Sequence, residues 1–527
     1  MLKSFVFSTC TLILFCSTAL AQLELPTVFS DHMVLQRDQI ISIWGWAKPG
    51  DEITCSFAGR NARGTAAADG KWSVEFEEFS AGGPHQLIAK ANEDSLTIND
   101  IYVGEVWLCS GQSNMAMKVR SGNNSEAELS AANHPMIRMF NEASAHATEP
   151  QDRCRGDWQV CSPETVGDFS ATAYFFGRRL QQELNVPIGL INSSVGGTAV
   201  EAWTSMPAQK ANDELKPMLL DFQTKEEAYD PEAAKARYEK ALANWEKQQT
   251  ANKLQQKKGQ KKRAPRRPSL PSNPSADRNF PSNLFNGKIH PLIGYGIRGA
   301  IWYQGERNSN GQFSNLYDEQ LGTLIADWRE RWGIGNFPFA WVQLPNFRTL
   351  QTEPSEPSGW VNVRDGMLRA LKIPHTGMAI TVDVGDAQNI HPKNKQAVGA
   401  RLARWALADV YDMGEQLPGG DTAMGPLFQS AQPEGNRINL KFTQSGMGLK
   451  STDGAVQGFA VAGKDRIFHW ANAEADGNKV SAWSDQVPNP VAVRYSWASN
   501  PIGNLVNSVG IPASPFRTDD WSATNEN

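Results

Sequence analysis

A serine that closes an apolar run and opens a polar turn is a candidate nucleophile, and Ser113 stands in that position. The segment reads Gly104-Glu105-Val106-Trp107-Leu108-Cys109-Ser110-Gly111-Gln112-Ser113-Asn114-Met115. Residues 106–109 have the composition of a buried strand, and Ser110-Gly111-Gln112 forces a turn that presents Ser113. Proteins of α/β class place reacting groups at the C-terminal edge of a strand, just before a helix. There a hydroxyl stands above the sheet, and the helix N-terminus stabilises negative charge developing beside it. A serine that merely caps the helix would occupy the same position. The rest of the chain decides between the two.

Three further segments have the same character. Asn192-Ser193-Ser194-Val195-Gly196-Gly197-Thr198 follows the apolar run at 186–191. Ala300-Ile301-Trp302-Tyr303-Gln304-Gly305-Glu306-Arg307-Asn308 repeats the strand-then-polar-turn form, and Asn389-Ile390-His391-Pro392 precedes a stretch rich in Ala, Leu and Arg. In this order (Ser, Gly, Gln/Asn, His) the segments resemble the four blocks of the SGNH, or GDSL-like, hydrolases. More closely they resemble the sialate O-acetylesterase family of carbohydrate deacetylases. The opening Leu25-Pro26-Thr27-Val28-Phe29-Ser30-Asp31-His32-Met33-Val34-Leu35-Gln36-Arg37 is similar to that family's opening. The resemblance runs from about residue 25 to past 405, with four motifs agreeing in order and spacing.

The resemblance implies a chemistry. Ester hydrolysis by serine needs a nucleophile, a base to take its proton, and donors for the tetrahedral oxyanion. Ser113 would be the nucleophile and His391 the base, on the turn before a helix carrying Val398, Leu402 and Trp405. The donors would be the backbone N–H groups of Ser113 and Gly196 together with a side-chain amide. The third block offers two amides, and Gln304, directly after the strand, is preferred to Asn308. Glu306 would be a partner within the loop or a ligand for a sugar hydroxyl. One position departs from the family pattern: SGNH hydrolases carry an aspartate three residues before the histidine, and here that position is Gln388, followed by Asn389. Either Gln388 or a main-chain carbonyl orients His391, giving a dyad, or Asp386 reaches it. No metal and no cofactor are implied.

Composition agrees with an enzyme of this size. The chain has 527 residues, 40% of them apolar and 20% charged, which calls for two or three domains. A net charge of −5 argues against nucleic acid as a partner. Residues 1–21 read as a signal peptide: Lys3 gives a positive start, residues 5–15 an apolar stretch, and Ala19-Leu20-Ala21 a small-residue cleavage site. That stretch is too short to insert in a membrane, and no cysteine follows it to carry a lipid. A periplasmic or secreted location is expected. Of the six cysteines, Cys55, Cys109, Cys154 and Cys161 would remain. Cys154 and Cys161 could close a small disulfide loop, while Cys109 reads as a buried free thiol. Zinc is not suggested, because no Cys-x-x-Cys or paired-His spacing occurs.

The chain divides into β, α/β and β parts. Residues 22–100 alternate with period two around 41–43, 53–57 and 72–76, which predicts a small β-domain. From 101 to 412 apolar strands alternate with helical stretches. That pattern predicts an α/β, SGNH-hydrolase-like parallel sheet flanked by helices. Residues 413–527 return to β character, with strands expected at 437–442 and 491–495, so that β-sandwich-like domains stand on both sides. An insertion at about 205–280 holds a helix starting at Asp230-Pro231, with Tyr238, Leu242 and Trp245 on one face. It runs into Lys253, Lys257, Lys258, Lys261, Lys262, Arg263, Arg266 and Arg267, a run that could bind an acidic polymer but is expected to be a solvated, partly disordered loop.

Three readings follow. The first is a secreted esterase that removes O-acetyl groups from sugars, sialic acid by resemblance, with acetylated plant or algal polysaccharide as the alternative. The second is a catalytically inactive carbohydrate-binding protein, and the third a lipase or arylesterase. Trp203 and Tyr303 could stack on sugar rings, or belong to the core.

Overall fold

The computed structural model describes residues 22–256, 266–420 and 422–521. The expected signal peptide and the basic residues at 257–263 lie outside the described residues. The architecture is mixed α/β with further β-sheets on either side of a central sheet.

The central sheet contains β1 (Asp94–Gly111), β2 (His134–Asn141), β3 (Trp158–Cys161), β4 (Ile188–Ser194), β5 (Gly299–Tyr303), β6 (Phe339–Val342) and β7 (Thr376–Ala379), in the order β3-β2-β4-β1-β5-β6-β7. All neighbours are parallel except β2 and β3. Strands buried on both faces read as continuous apolar runs, which is why residues 106–109 and 300–303 carry no polar alternation. Val106, Leu108, Ala300 and Trp302 face one core, and Trp107, Cys109, Ile301 and Tyr303 face the other.

Five helices matter for the site: α1 (Ser113–Ala116), α2 (Ala171–Leu184), α3 (Tyr317–Trp332), α4 (Gly359–Arg369) and α5 (Lys395–Trp405). Phe176 of α2 and Leu402 of α5 close the second core, while Trp328 of α3 and Val363 of α4 close the first. Trp302 meets Trp203 and Trp328 edge-on, each at 6.0 Å between ring centroids. Such pairs add about 0.5–1.5 kcal/mol each beyond area burial. Trp203 and Tyr303 are fully buried, so the alternative of sugar-stacking platforms is set aside: both are core residues.

Strand β1 is 18 residues long. Its first half pairs with Gly82–Ala91 and Val34–Gln36, and its second half with β4 and β5. Midway, the fully buried Glu105 carboxylate accepts from Arg37 Nε at 2.5 Å, Arg298 Nε at 2.8 Å and the Tyr411 hydroxyl at 3.0 Å. Burying that charge is tolerable only because it is so fully paired. It ties the N-terminal strands to the approaches of β5 and to the chain beyond α5.

The strands expected at 41–43, 53–57 and 72–76 form as Ile41–Trp46, Glu52–Phe57 and Lys71–Phe76. Beyond α5, Arg437–Thr443 and Ala492–Tyr495 lie in two four-stranded sheets, and Phe442, Phe459, Tyr495 and Phe516 pack in a common core. In the insertion, a helix spans Pro231–Gln256, and Asp230 Oδ1 accepts the N–H groups of Glu232 and Ala233. No helix among the described residues is long and apolar enough to cross a membrane.

The disulfide expectation is corrected. Cys55, Cys109, Cys154 and Cys161 are all free and buried. Cys154 belongs to the core on one face of the sheet and Cys161 to the core on the other, so the short spacing between them brings no contact. Burial pushes the thiols of Cys55 and Cys161 up to about 12, which keeps them protonated and unreactive.

Candidate active site

Gly111 makes the turn that carries Ser113. Its φ of +136° is a conformation that side chains avoid, and a Cβ there would stand 2.2 Å from the Tyr303 carbonyl oxygen. Because Gly111 comes that close, Gln112 N–H can donate to the same carbonyl at 2.9 Å, while Val195 N–H donates to Gly111 O at 3.1 Å. The end of β1 is thus laced to the ends of β4 and β5, its neighbours on either side. Here the sheet order changes direction, the usual place for a ligand crevice in such folds.

Ser113 is the first residue of α1, which is a single turn, since Met117 is already extended (φ −62°, ψ 123°). The expectation of a helix supporting the site by its dipole is corrected accordingly. What remains are local N–H groups. Among the described residues, those of Ser113 and Gly196 donate to no protein acceptor. A Cβ on Gly196 would lie 3.4 Å from Ser113 Cβ, so the two segments are in contact.

The histidine arrives from the loop between β7 and α5. Ser113 Oγ and His391 Nε2 are 2.8 Å apart, within hydrogen-bond reach; in the tautomer with Nε2 unprotonated the hydroxyl donates to the ring. Asn389 Oδ1 accepts the backbone N–H of His391 at 3.0 Å, and Asn394 caps α5 through the N–H of Ala397 at 3.1 Å. Among the described residues no carboxylate bonds the imidazole. Asp386 Oδ1 instead accepts the N–H groups of Gln388 and Asn389, and the Gln388 side chain is exposed. Burial first, and the Lys395 ammonium second, hold the His391 pKa below its ordinary value.

The third block packs beneath the turn. Gln304 is fully buried, and its amide nitrogen faces three acceptors: Gln112 Oε1 at 3.1 Å, Thr198 O at 3.0 Å and Asn308 Oδ1 at 2.7 Å. Its Oε1 accepts the Tyr317 hydroxyl at 2.8 Å. Asn308 donates to Glu201 Oε2 and Gln320 Oε1, and accepts from Val200 N–H. Both candidate amide donors are therefore engaged within the protein, and what their bonds do is hold the loops that flank Ser113. Glu306, buried, accepts from Asn114 Nδ2 at 2.5 Å, and burial raises its pKa.

Two residues of this region escape sequence reading. Asn114, fully buried, donates to the Ile390 carbonyl at 3.0 Å and accepts from Lys395 Nζ at 2.6 Å. Position alone, directly after Ser113, pointed at Asn114. Lys395 lies within the His-Pro-Lys-Asn-Lys block that begins at His391, but a lysine reads as a surface residue and carries no role from sequence. Burial pushes its ammonium down to about 7. No group of three His, Cys, Asp or Glu placed to hold a metal occurs among the described residues.

The chain is similar to known proteins. A family model described as "Carbohydrate esterase, sialic acid-specific acetylesterase" matches residues 103–252 and 287–408. Sialate O-acetylesterase of Rattus norvegicus is 31% identical over 462 residues, covering 79% of this chain and 78% of that protein. The Homo sapiens protein of the same name is 29% identical over 536 residues, covering 92% and 91%. The crystal structure of a carbohydrate acetylesterase from Xanthomonas citri superposes with a TM-score of 0.79 at 35% identity, covering 95% of this chain and 100% of that one. The motifs, the fold and these matches agree: the chain belongs to the sialic acid-specific acetylesterase family of carbohydrate esterases and is an ester hydrolase.

Proposed function

We propose that the protein is a serine O-acetylesterase of SGNH type, acting on acetylated sialic acid and exported to the periplasm or medium. The catalytic part would be residues 101–412, with β-domains at 22–100 and 413–527. The observation that carries this reading is the 2.8 Å contact between Ser113 Oγ and His391 Nε2, beside two backbone N–H groups that donate to no protein acceptor.

In the first step Ser113 Oγ attacks the acetyl carbonyl while its proton passes to His391 Nε2. The tetrahedral oxyanion accepts from the N–H groups of Ser113 and Gly196. Collapse breaks the C–O bond to the sugar, whose oxygen takes the proton from His391. Water, deprotonated by the same imidazole, then attacks the acetyl-enzyme and releases acetate and Ser113.

For the substrate, the relatives named sialate O-acetylesterase support an acidic sugar. So does charge at the rim. Arg278 and Arg307 are exposed; Arg278 Nη2 lies 3.6 Å from where a Cβ on Gly197 would stand, and Arg307 N–H donates to Gln112 Oε1. An arginine beside the acetyl site suits the carboxylate of a sialic acid. An acetylated plant or algal polysaccharide is the second reading; the Xanthomonas citri protein, a carbohydrate acetylesterase, is compatible with either. Acetate release from acetylated sialic acids, measured beside acetylated xylan, tests the choice. A preference for xylan overturns the acidic-sugar reading.

A further inference from the structure

Beneath the Ser113–His391 pair lies a buried polar cluster that the reaction scheme does not use. Asn114 sits at its centre. Its Nδ2 donates to Glu306 Oε1 and to the carbonyl of Ile390, and its Oδ1 accepts from Lys395 Nζ. The amide can face only one way, because the Ile390 carbonyl can only accept and a protonated lysine can only donate. The two ends of this clamp are significant by position: Asn114 follows the serine, and Ile390 precedes the histidine. A single side chain therefore spans from the residue after the nucleophile to the residue before the base.

Lys395 completes the arrangement. It lies on the first turn of α5, four residues after His391, fully buried, with its ammonium 4.8 Å from the Tyr303 ring centroid. A lysine in such a place costs the fold its desolvation, and an apolar residue of similar volume would pack there without that cost. Glu306 is the carboxylate of the cluster, and it reaches Lys395 only through Asn114. The groups facing His391 are Ser113 and Lys395; those facing Lys395 are Asn114, Tyr303, Glu306 and His391.

We propose that Asn114 and Lys395 are positioning residues of this esterase: together they lock the Ile390-His391 backbone onto the Ser113 turn, the task a carboxylate on the imidazole performs in a serine triad. The proposal rests on Ser113 and His391 being the nucleophile and base. In a triad the acid holds the ring itself. Here the backbone on either side of the ring is held, by Asn114 before it and by the Asn394-capped start of α5 after it. Lys395 adds a second effect that a purely structural residue lacks. Its positive charge disfavours the imidazolium, so the neutral base persists to lower pH.

The test uses the full chain with 4-nitrophenyl acetate. Asn114→Asp keeps the shape and the acceptor for Lys395 but removes both N–H donors. It should lower kcat by about a hundredfold with KM little changed, as a misplaced base does. Lys395→Met should move the acid limb of the kcat/KM profile to higher pH, by about half a unit, because removing a neighbouring cation makes the imidazole easier to protonate. Lys395→Arg, which retains the charge, should leave the limb near its original place. An unshifted limb in Lys395→Met, or a kcat loss in Asn114→Asp that merely follows the folded fraction by circular dichroism, overturns the proposal. If Asn114→Asp does not fold, the Lys395 pair still decides. Retained activity in Ser113→Ala would instead remove the serine mechanism on which the proposal stands.

Discussion

Asp386 Oδ1 accepts the backbone N–H of Gln388 at 2.8 Å, so the acid nearest the histidine in sequence holds its loop rather than its ring. The same oxygen takes the N–H of Asn389 at 3.1 Å, and Asn389 in turn takes that of His391. Asparagine at 386 retains such an oxygen. Asp386→Asn should therefore cost less than about tenfold in turnover, where a triad aspartate is worth on the order of 10⁴. A loss near that larger figure would mean that the carboxylate acts on His391 directly.

Ser113→Ala should abolish acetate release, by at least about 10³-fold, with circular dichroism and Tm unchanged. Ser113 is half-buried and its hydroxyl bonds His391, so removing that one oxygen leaves no large cavity. Activity within a few-fold of the parent would take Ser113 out of the mechanism.

The pH dependence follows from His391. Burial, and then the charge on Lys395, lower its pKa from the ordinary 6.5. A lowered value means that the proton leaves at lower pH, so the neutral base is already present below 6.5. The kcat/KM of a neutral acetyl ester should rise along a limb centred under that value and be flat near neutrality. A limb centred above it would contradict the environment seen around the ring.

Charge reversal at the rim separates the two substrate classes. Arg307→Glu and Arg278→Glu should lower the ratio of kcat/KM on acetylated sialic acid to that on a neutral acetylated sugar by about tenfold or more, the scale of one charge-assisted hydrogen bond. Equal losses on both substrates would show that neither arginine senses the carboxylate.

Gly111→Ala should fail to accumulate as folded protein, or lose about 3 kcal/mol or more of stability. The side chain would enter the Tyr303 carbonyl in a backbone conformation already hostile to it. Thermal unfolding at the parent's Tm would refute the assignment of that turn.

Much of this was legible in the chain because it depended on local pattern. The apolar runs at 106–109, 186–191 and 300–303 announced strands of an α/β sheet, and the turns after them announced where chemistry could sit. What depended on the far side of a contact was not legible. The short spacing of Cys154 and Cys161 says nothing of which face of the sheet each joins. Gln304 reads as a free amide until Gln112 and Thr198 are brought to it by the ends of other strands. The helix after Ser113 ends within a turn because the chain must leave for the Lys118–Ser170 bridge. Lys395 is the extreme case, since its hydrogen-bond partner Asn114 lies 281 residues away, and Tyr303 and Glu306, which also face it, come from a different strand end.

The length of β1 has a practical consequence. The strand runs 18 residues without leaving the sheet, bent where Asp100 takes a φ of +54°, and the nucleophile sits just past its last residue. No saw-cut near residue 100 would yield a self-standing catalytic fragment. It would begin inside a β-ladder, leave the partners Gly82–Ala91 and Val34–Gln36 behind, and strip Arg37 from the Glu105 carboxylate. Such a fragment would present raw strand edges and a buried acid missing one of its two arginines, a recipe for aggregation. Minimal versions of this enzyme for engineering would have to keep the leading β-strands, which anchor the strand that ends at the Ser113 turn.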